Sequence, residues 1–240
     1  MRNEPTTRSN DRYQRHRSLL EPDAWSRLTT TTLTIAGVGG LGSHVLSSLA
    51  RLGPLHLELW DPGVVDTPDL NRQILYTPAD EGRRKVESAR ERLLQVNPEL
   101  SVTVHAEPIT AEAFADHGEP GSARGVFDCL DSFAARVELE KIRRSAGVPV
   151  FHGGVEGFFG QATTFLPDRL GYEDVFGPGY EGMPPAPKPI LPQTVAIVAA
   201  LQVGECIHWC ADPRQTPLTG TLLLYDGRTM QFDRITVAAS

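Results

Sequence analysis

Thr31-Thr32-Leu33-Thr34-Ile35-Ala36-Gly37-Val38-Gly39-Gly40-Leu41-Gly42-Ser43 is the stretch that decides the fold. Its first six residues are β-branched or apolar, as a strand buried on both faces requires. Gly37 to Gly42 then match G-x-G-x-x-G, and residues 44–51 continue with helical spacing. A strand entering a helix through such a turn is the context in which the pattern carries meaning. Glycines permit the tight turn and let backbone N–H groups approach phosphate oxygens, while the helix N-terminus adds partial positive charge. Gly37, Gly39, Gly40 and Gly42 are therefore candidate nucleotide-binding positions. Asp61 ends a second strand, 55–60, and lies 19 residues beyond Gly42, where a carboxylate can accept hydrogen bonds from ribose hydroxyls.

Outward from this unit the chain alternates strands with helices. Residues 81–96 read as a helix stopped by Asn97-Pro98, 101–106 as a third strand, and 126–127 as a short fourth closing at Asp128. A helix over 132–146 follows, with Gly147 placed to cap it. A fifth strand covers 148–151, and 155–166 reads as further strand broken by glycines. Ten of the 22 residues in 171–192 are Gly or Pro, which predicts a long, irregular, exposed loop. An apolar helix over 194–210 and strands at 221–225 and 231–237 complete the chain. The expected fold class is α/β: a Rossmann-like, mainly parallel sheet with flanking helices, antiparallel C-terminal strands and a Gly/Pro-rich crossover loop. Residues 1–10 are expected to be a flexible N-terminus, and 11–240 a single domain.

Composition narrows the function. The 240 residues carry 23 Lys plus Arg against 30 Asp plus Glu, a net charge of −7, which disfavours coating of nucleic acid or anionic lipid. Cys129, Cys206 and Cys210 are too few for a disulfide framework, so a reducing cytoplasm is the expected compartment. The arginine-rich start has no apolar run behind it, which argues against a signal peptide. The stretch 194–210 is interrupted by Gln202, Glu205 and His208 and is expected to be too short and polar to span a bilayer. No membrane association is expected.

The glycine turn alone leaves the nucleotide open. A redox dinucleotide needs only gentle handling of its pyrophosphate, whereas Arg72, Arg83, Arg84 and Lys85 follow Asp61 closely. A triphosphate attacked at phosphorus is helped by fixed cations where charge develops. A basic helix start can equally be a solvated face.

From about Arg12 to Val237 the sequence resembles the E1-like adenylyltransferases of the ThiF/MoeB/HesA family, which activate ubiquitin-like sulfur-carrier proteins. The shared motifs are Arg12-Tyr13-Gln14-Arg15, the glycine turn, Asp61, Leu70-Asn71-Arg72-Gln73, Lys85-Val86-Glu87-Ser88-Ala89-Arg90, Asn97-Pro98, Asp128-Cys129-Leu130-Asp131 and Tyr225-Asp226. The resemblance implies that Asp61 holds the ribose, that Arg72 and Lys85 bind the triphosphate of ATP with Gln73 beside them, and that Asp131 coordinates Mg²⁺. It also implies that Arg15 reaches the phosphates of a neighbouring subunit in a homodimer. The partner would be a small carrier protein ending in Gly-Gly, whose terminal carboxylate attacks the α-phosphorus. Three positions depart from the family pattern: Gly63 replaces a common Asp, and Asp69 and Ser132 stand where Asn is usual.

The paired C-x-x-C motifs of zinc-binding relatives are missing from the sequence, so no structural zinc is expected. On a helix Cys206 and Cys210 share one face while His208 points elsewhere. No cysteine lies in 171–192, so the chemistry is expected to stop at adenylation, with a separate sulfurtransferase delivering sulfur. Tyr172, Phe176 and Tyr180 are expected to close over the carrier tail. His152 reads more readily as a hydrogen-bonded residue at a strand end than as a phosphate ligand. Asp128 and Asp131 could equally cap the helix that begins near Ser132. Adenylation of a peptide C-terminus or of tRNA, an NAD(P)-binding redox protein and a non-catalytic scaffold are the competing readings.

Overall fold

A computed structural model describes residues 11–117, 124–182 and 189–237. The expected flexible segment 1–10 and the middle of the Gly/Pro-rich stretch, 183–188, lie outside the described residues. Two helices, α1 (Gln14–Arg17) and α2 (Pro22–Thr30), lead into β1 (Thr32–Ala36), α3 (Gly40–Leu52) and β2 (His56–Trp60). After a 3₁₀ turn at Thr67–Asn71 come α4 (Lys85–Val96), β3 (Ser101–His105), α5 (Ala111–Asp116), β4 (Arg124–Asp128) and α6 (Phe133–Ala146). The chain continues through β5 (Val150–Glu156), β6 (Phe159–Phe165), α7 (Tyr172–Phe176), α8 (Pro192–Ala211), β7 (Thr221–Asp226) and β8 (Gln231–Thr236).

The strands form one eight-stranded sheet in the order β3-β2-β1-β4-β5-β6-β7-β8. The first five are mutually parallel and the last three pair antiparallel. This is the Rossmann-like α/β class expected from sequence. Period-two alternation sends side chains to two cores. Leu33, Ile35, Leu57, Leu59, Phe127 and Phe151 pack against residues of α3, α4 and α8, whereas Ala36, Trp60, Val126 and Val150 pack against α5, α6 and α7. Chain order reverses between β1 and β4, so their carboxyl ends open a crevice at a topological switch point, where such sheets bind ligands.

Several boundaries differ from expectation for identifiable reasons. The helix expected from residue 81 starts at Lys85, because Gly82 adopts φ 78° and Val64 bridges Arg84. The fifth strand runs on to Glu156 and pairs with β6, so His152 and Gly153 lie within it rather than after it. The helix α5 has only six residues, too few to leave a periodic signal. Gly147 does cap α6, at φ 65° and ψ 38°.

The stretch 171–192 departs most. It holds α7 and a 3₁₀ turn at Tyr180–Gly182, and Tyr172 and Tyr180 are buried rather than exposed. The apolar helix α8 is 20 residues, about 30 Å, and is long and apolar enough to cross a membrane, contrary to expectation. Here it packs on α3 with Val195, Val198, Ala199 and Trp209 in the core, and it buries Gln202 and Glu205. The buried Glu205 carboxylate accepts from Thr164 Oγ1 at 2.6 Å, Leu218 N at 3.1 Å and the Thr216 hydroxyl.

Candidate active site

The glycine turn is closed by close approaches that admit no side chain. Gly37 adopts φ 91°, and a Cβ there would lie 2.8 Å from the Cys129 carbonyl oxygen at the end of β4. A Cβ at Gly42 would fall 2.1 Å from the Gly37 carbonyl. Gly42 therefore serves the helix–turn contact and does not line the cavity, whereas Gly37, Gly39 and Gly40 do. Gly39 is the N-cap of α3, so unpaired first-turn N–H groups lie beside the crevice. The Tyr76 hydroxyl donates to the Val38 carbonyl at 2.7 Å and props the turn from behind.

A cavity of about 1280 Å³ opens at the carboxyl ends of β1 and β4. Its walls bring together Asp61, Arg72, Gln73, Lys85 and Asp131 with the turn glycines, although these positions span 95 residues of sequence. Asp61 accepts the Val38 N–H through Oδ2 and the Gly63 N–H through Oδ1, both at 2.7 Å. A Cβ on Gly63 would meet Asp61 Oδ1 at 2.9 Å, so a larger residue here would require that carboxylate to shift. The Gln73 side-chain oxygen is buried without a hydrogen-bond partner, as expected of a wall prepared for a ligand. Asp131 is exposed at the cavity wall and does not cap α6, a task taken by Ser132 Oγ, which accepts the Ala135 N–H at 3.4 Å. Arg15 is exposed on α1 and is not among the cavity residues.

Arg72 and Lys85 converge on one carboxylate, Asp69, which stands where the family resemblance has Asn. Lys85 Nζ lies 2.9 Å from Asp69 Oδ2, and Arg72 Nη2 lies 3.4 Å from Asp69 Oδ1. The two preceding cations are engaged elsewhere. Arg83 pairs with Asp80 and Glu91, and Arg84 donates to the Pro62 carbonyl. Of the Arg83-Arg84-Lys85 run, only Lys85 lines the cavity.

Beneath the floor lies a buried polar network. Asp128 Oδ2 accepts from His152 Nδ1 at 2.6 Å, Tyr172 Oη at 2.7 Å and Arg136 Nε at 2.9 Å. Burial pushes its carboxyl up, but Arg136, then His152 and Tyr172, outweigh this and hold it down at about 2. His152 is pushed down, chiefly by burial and against the pull of Asp128; neutral, it donates Nδ1–H to Asp128 while Nε2 meets Gln161. It is a buried, hydrogen-bonded residue, as expected, but it lies within β5 rather than at a strand end. Tyr172 likewise anchors its segment rather than closing over a ligand, leaving Phe176 in the cavity wall. Arg136 also donates to the Leu130 carbonyl at 2.7 Å and so fixes the turn that presents Asp131. A charged residue inside the apolar stripe Phe133, Leu139, Ile142 was the available sequence signal for it.

None of the three cysteines is an attractive nucleophile. Cys129 is buried beside Asp128, and burial, then that charge, pushes its thiol well up. Cys206 and Cys210 are buried in α8 while His208 is exposed on another face, so the three do not converge.

The model of the ThiF family matches residues 13–240. The chain is 32% identical over 242 residues to the SAMP-activating enzyme E1 of Haloferax volcanii, covering 94% of this chain and 84% of that protein. It is 31% identical over 221 residues to the molybdopterin-synthase adenylyltransferase of Escherichia coli, covering 88% and 84%. The probable adenylyltransferase/sulfurtransferase MoeZ of Mycobacterium tuberculosis is 33% identical over 236 residues, and this chain spans 59% of its length. Among solved structures, E. coli MccB with AMPCPP and selenomethionyl MccA superposes with a TM-score of 0.80 at 21% identity, over 97% of this chain and 73% of that one, which shows a shared fold. With a family match over almost its whole length and relatives above 30% identity, the chain belongs to the ThiF family and is an E1-like adenylyltransferase.

Proposed function

We propose that the protein uses ATP and Mg²⁺ to adenylate the C-terminal glycine carboxylate of a small ubiquitin-like sulfur carrier, releasing pyrophosphate. The observation that carries this reading is the convergence of Arg72 and Lys85 beside the glycine turn in a cavity that also holds Asp61 and Asp131. Residues 11–240 would act as one adenylation unit. Asp61 has acceptor capacity left for the ribose, and the turn N–H groups with Arg72 and Lys85 would bind the triphosphate. The exposed Asp131 carboxylate is a hard oxygen donor suited to Mg²⁺, which when bound would neutralise phosphate charge.

The carrier carboxylate is ionised at neutral pH, so no general base is needed. Its oxygen forms a bond to the α-phosphorus. The bond from that phosphorus to the bridging oxygen breaks, and the electron pair leaves on pyrophosphate. Acyl-adenylate is the product. Positioning and charge neutralisation carry the rate, because nucleophile and target are both anionic. The high thiol of Cys129 supports chemistry that ends at the adenylate, with sulfur delivered by a separate sulfurtransferase. Phe159 and Ile235 are exposed on the face of β6–β8 that also carries cavity residues Leu224, Asp226 and Asp233, and offer an apolar surface for the carrier body. Arg15 on exposed α1 would serve a neighbouring subunit of a homodimer. The net charge of −7 disfavours tRNA as the acceptor.

ATP–pyrophosphate exchange tests this reading. Exchange is expected to require a carrier ending in Gly-Gly and to vanish when its terminal carboxylate is amidated. Carrier-independent exchange, or a nicotinamide absorbance change without pyrophosphate release, would sink it.

The Asp69 contact adds a sharper expectation. Its carboxylate opposes the approach of a polyanion to Lys85 and Arg72, at a site where each charge is worth on the order of 1–4 kcal/mol. Asp69→Asn should lower the KM for ATP about threefold to tenfold. A raised KM would instead show that the carboxylate aligns the two cations.

A further inference from the structure

The bend that follows β3 gathers three ligating side chains away from the glycine turn. His105 is the last residue of β3, Glu107 lies two residues on, and His117 caps the end of α5. One ligand atom from each falls within 4.8 Å of the others. The two imidazole rings are 4.4 Å apart between centroids, and both pack on Trp60, at 3.8 and 5.6 Å. His105 is held in place before any ion arrives. It stacks on its register partner Trp60 at 3.8 Å, and its Nε2 meets Glu58 Oε1 at 3.2 Å. Glu58 is itself buried and fixed by Arg124 and by Thr34 Oγ1 at 2.9 Å. A carboxylate behind an imidazole is the arrangement that orients histidine ligands toward metals. Glu107 and His117 are exposed, so an ion has an open approach.

We propose that His105, Glu107 and His117 form a binding site for a divalent transition-metal ion of the zinc class. Two imidazoles and one carboxylate suit Zn²⁺, Co²⁺ or Ni²⁺ and leave a position for water, whereas Mg²⁺ prefers all-oxygen surroundings. The site has a structural consequence for the cavity. An ion there would tie the end of β3 to the end of α5, and the segment between them supplies Pro108 and Ile109 to the cavity wall. The His105 carbonyl also accepts the Asp61 N–H at 3.1 Å. The ion would thus brace the wall beside Trp60 and Asp61 without touching a reacting group.

Zn²⁺ titration of chelator-treated, full-length protein in the absence of nucleotide tests the site, with Co²⁺ absorption in the visible region as a spectroscopic readout. One ion per chain is expected, and His117→Ala and Glu107→Gln should each weaken binding at least about tenfold and remove the Co²⁺ bands. Both changes lie at exposed positions, and near-UV circular dichroism checks that the fold is retained. Asp131→Ala should leave Zn²⁺ binding unchanged. The proposal fails if wild-type protein binds Zn²⁺ no tighter than about millimolar, if His117→Ala binds like wild type, or if binding is lost with Asp131 instead.

Discussion

Arg72→Ala is expected to lower carrier-dependent ATP–pyrophosphate exchange by about 10²–10³, the usual loss when one preorganised charge or donor leaves a reacting centre. Lys85→Ala should behave similarly. The reasoning is electrostatic. An anionic carboxylate must approach an anionic phosphate chain, and of the cations lining the cavity Arg136 is committed to buried Asp128, leaving Arg72 and Lys85 to meet the ligand. Neither is consumed by a distant partner, since both rest on Asp69, whose single negative charge cannot neutralise the pair. Because these contacts strengthen as charge moves onto the leaving pyrophosphate, the deficit should appear in kcat as well as KM. Thermal melting of the variants should stay close to wild type, as both side chains reach the cavity rather than the core. Exchange that persists undiminished in Arg72→Ala and in Asp131→Ala would remove the assignment of this cavity as the adenylation site.

The second large effect is on stability. Asp128→Ala should cost about 3–5 kcal/mol, because it leaves the buried Arg136 guanidinium without its counter-charge and strands His152 and Tyr172. For a chain of this size that corresponds to a fall in Tm on the order of 10 °C, measured by calorimetry or circular dichroism. The pH dependence has a definite sign. The folded carboxyl sits at about 2, below its ordinary value near 3.8, so its contribution is complete above about pH 4. That contribution, roughly 2–3 kcal/mol, is lost as pH falls from about 4 through 2. In Asp128→Asn the acid limb of the stability profile should be flatter over this window. An unaltered acid limb would mean that other carboxylates dominate acid unfolding.

The network also orders residues 171–182, where composition predicts an irregular loop. The Gly/Pro-rich composition of the stretch does argue against long regular elements, and the helix found there has five residues. What orders it is Tyr172, whose hydroxyl reaches a carboxylate 44 residues earlier, together with Arg143, which donates to the Leu166 and Pro167 carbonyls at 2.7 Å just upstream. No pattern within the stretch reports partners so distant. The same holds for Asp69. Read locally it belongs to a turn, and only the placement of the α4 N-terminus opposite that turn turns it into the shared counter-ion of Arg72 and Lys85.

What the amino-acid order determined by itself was much of what backbone conformation over a few residues governs. That includes the buried β1 strand, the glycine turn into α3, the carboxylate ending β2 and the alternation that makes a parallel sheet. Strand and helix periods, and the glycine requirement of a close approach, act over short distances along the chain. Tertiary structure decided which charges face one another: Asp128 with Arg136, His152 and Tyr172, Asp69 with two cavity cations, and His105 with Glu107 and His117. The first of these arises because β4 and β5 lie side by side and set Asp128 against His152, and in every case Coulomb interactions depend on distance in space rather than along the chain.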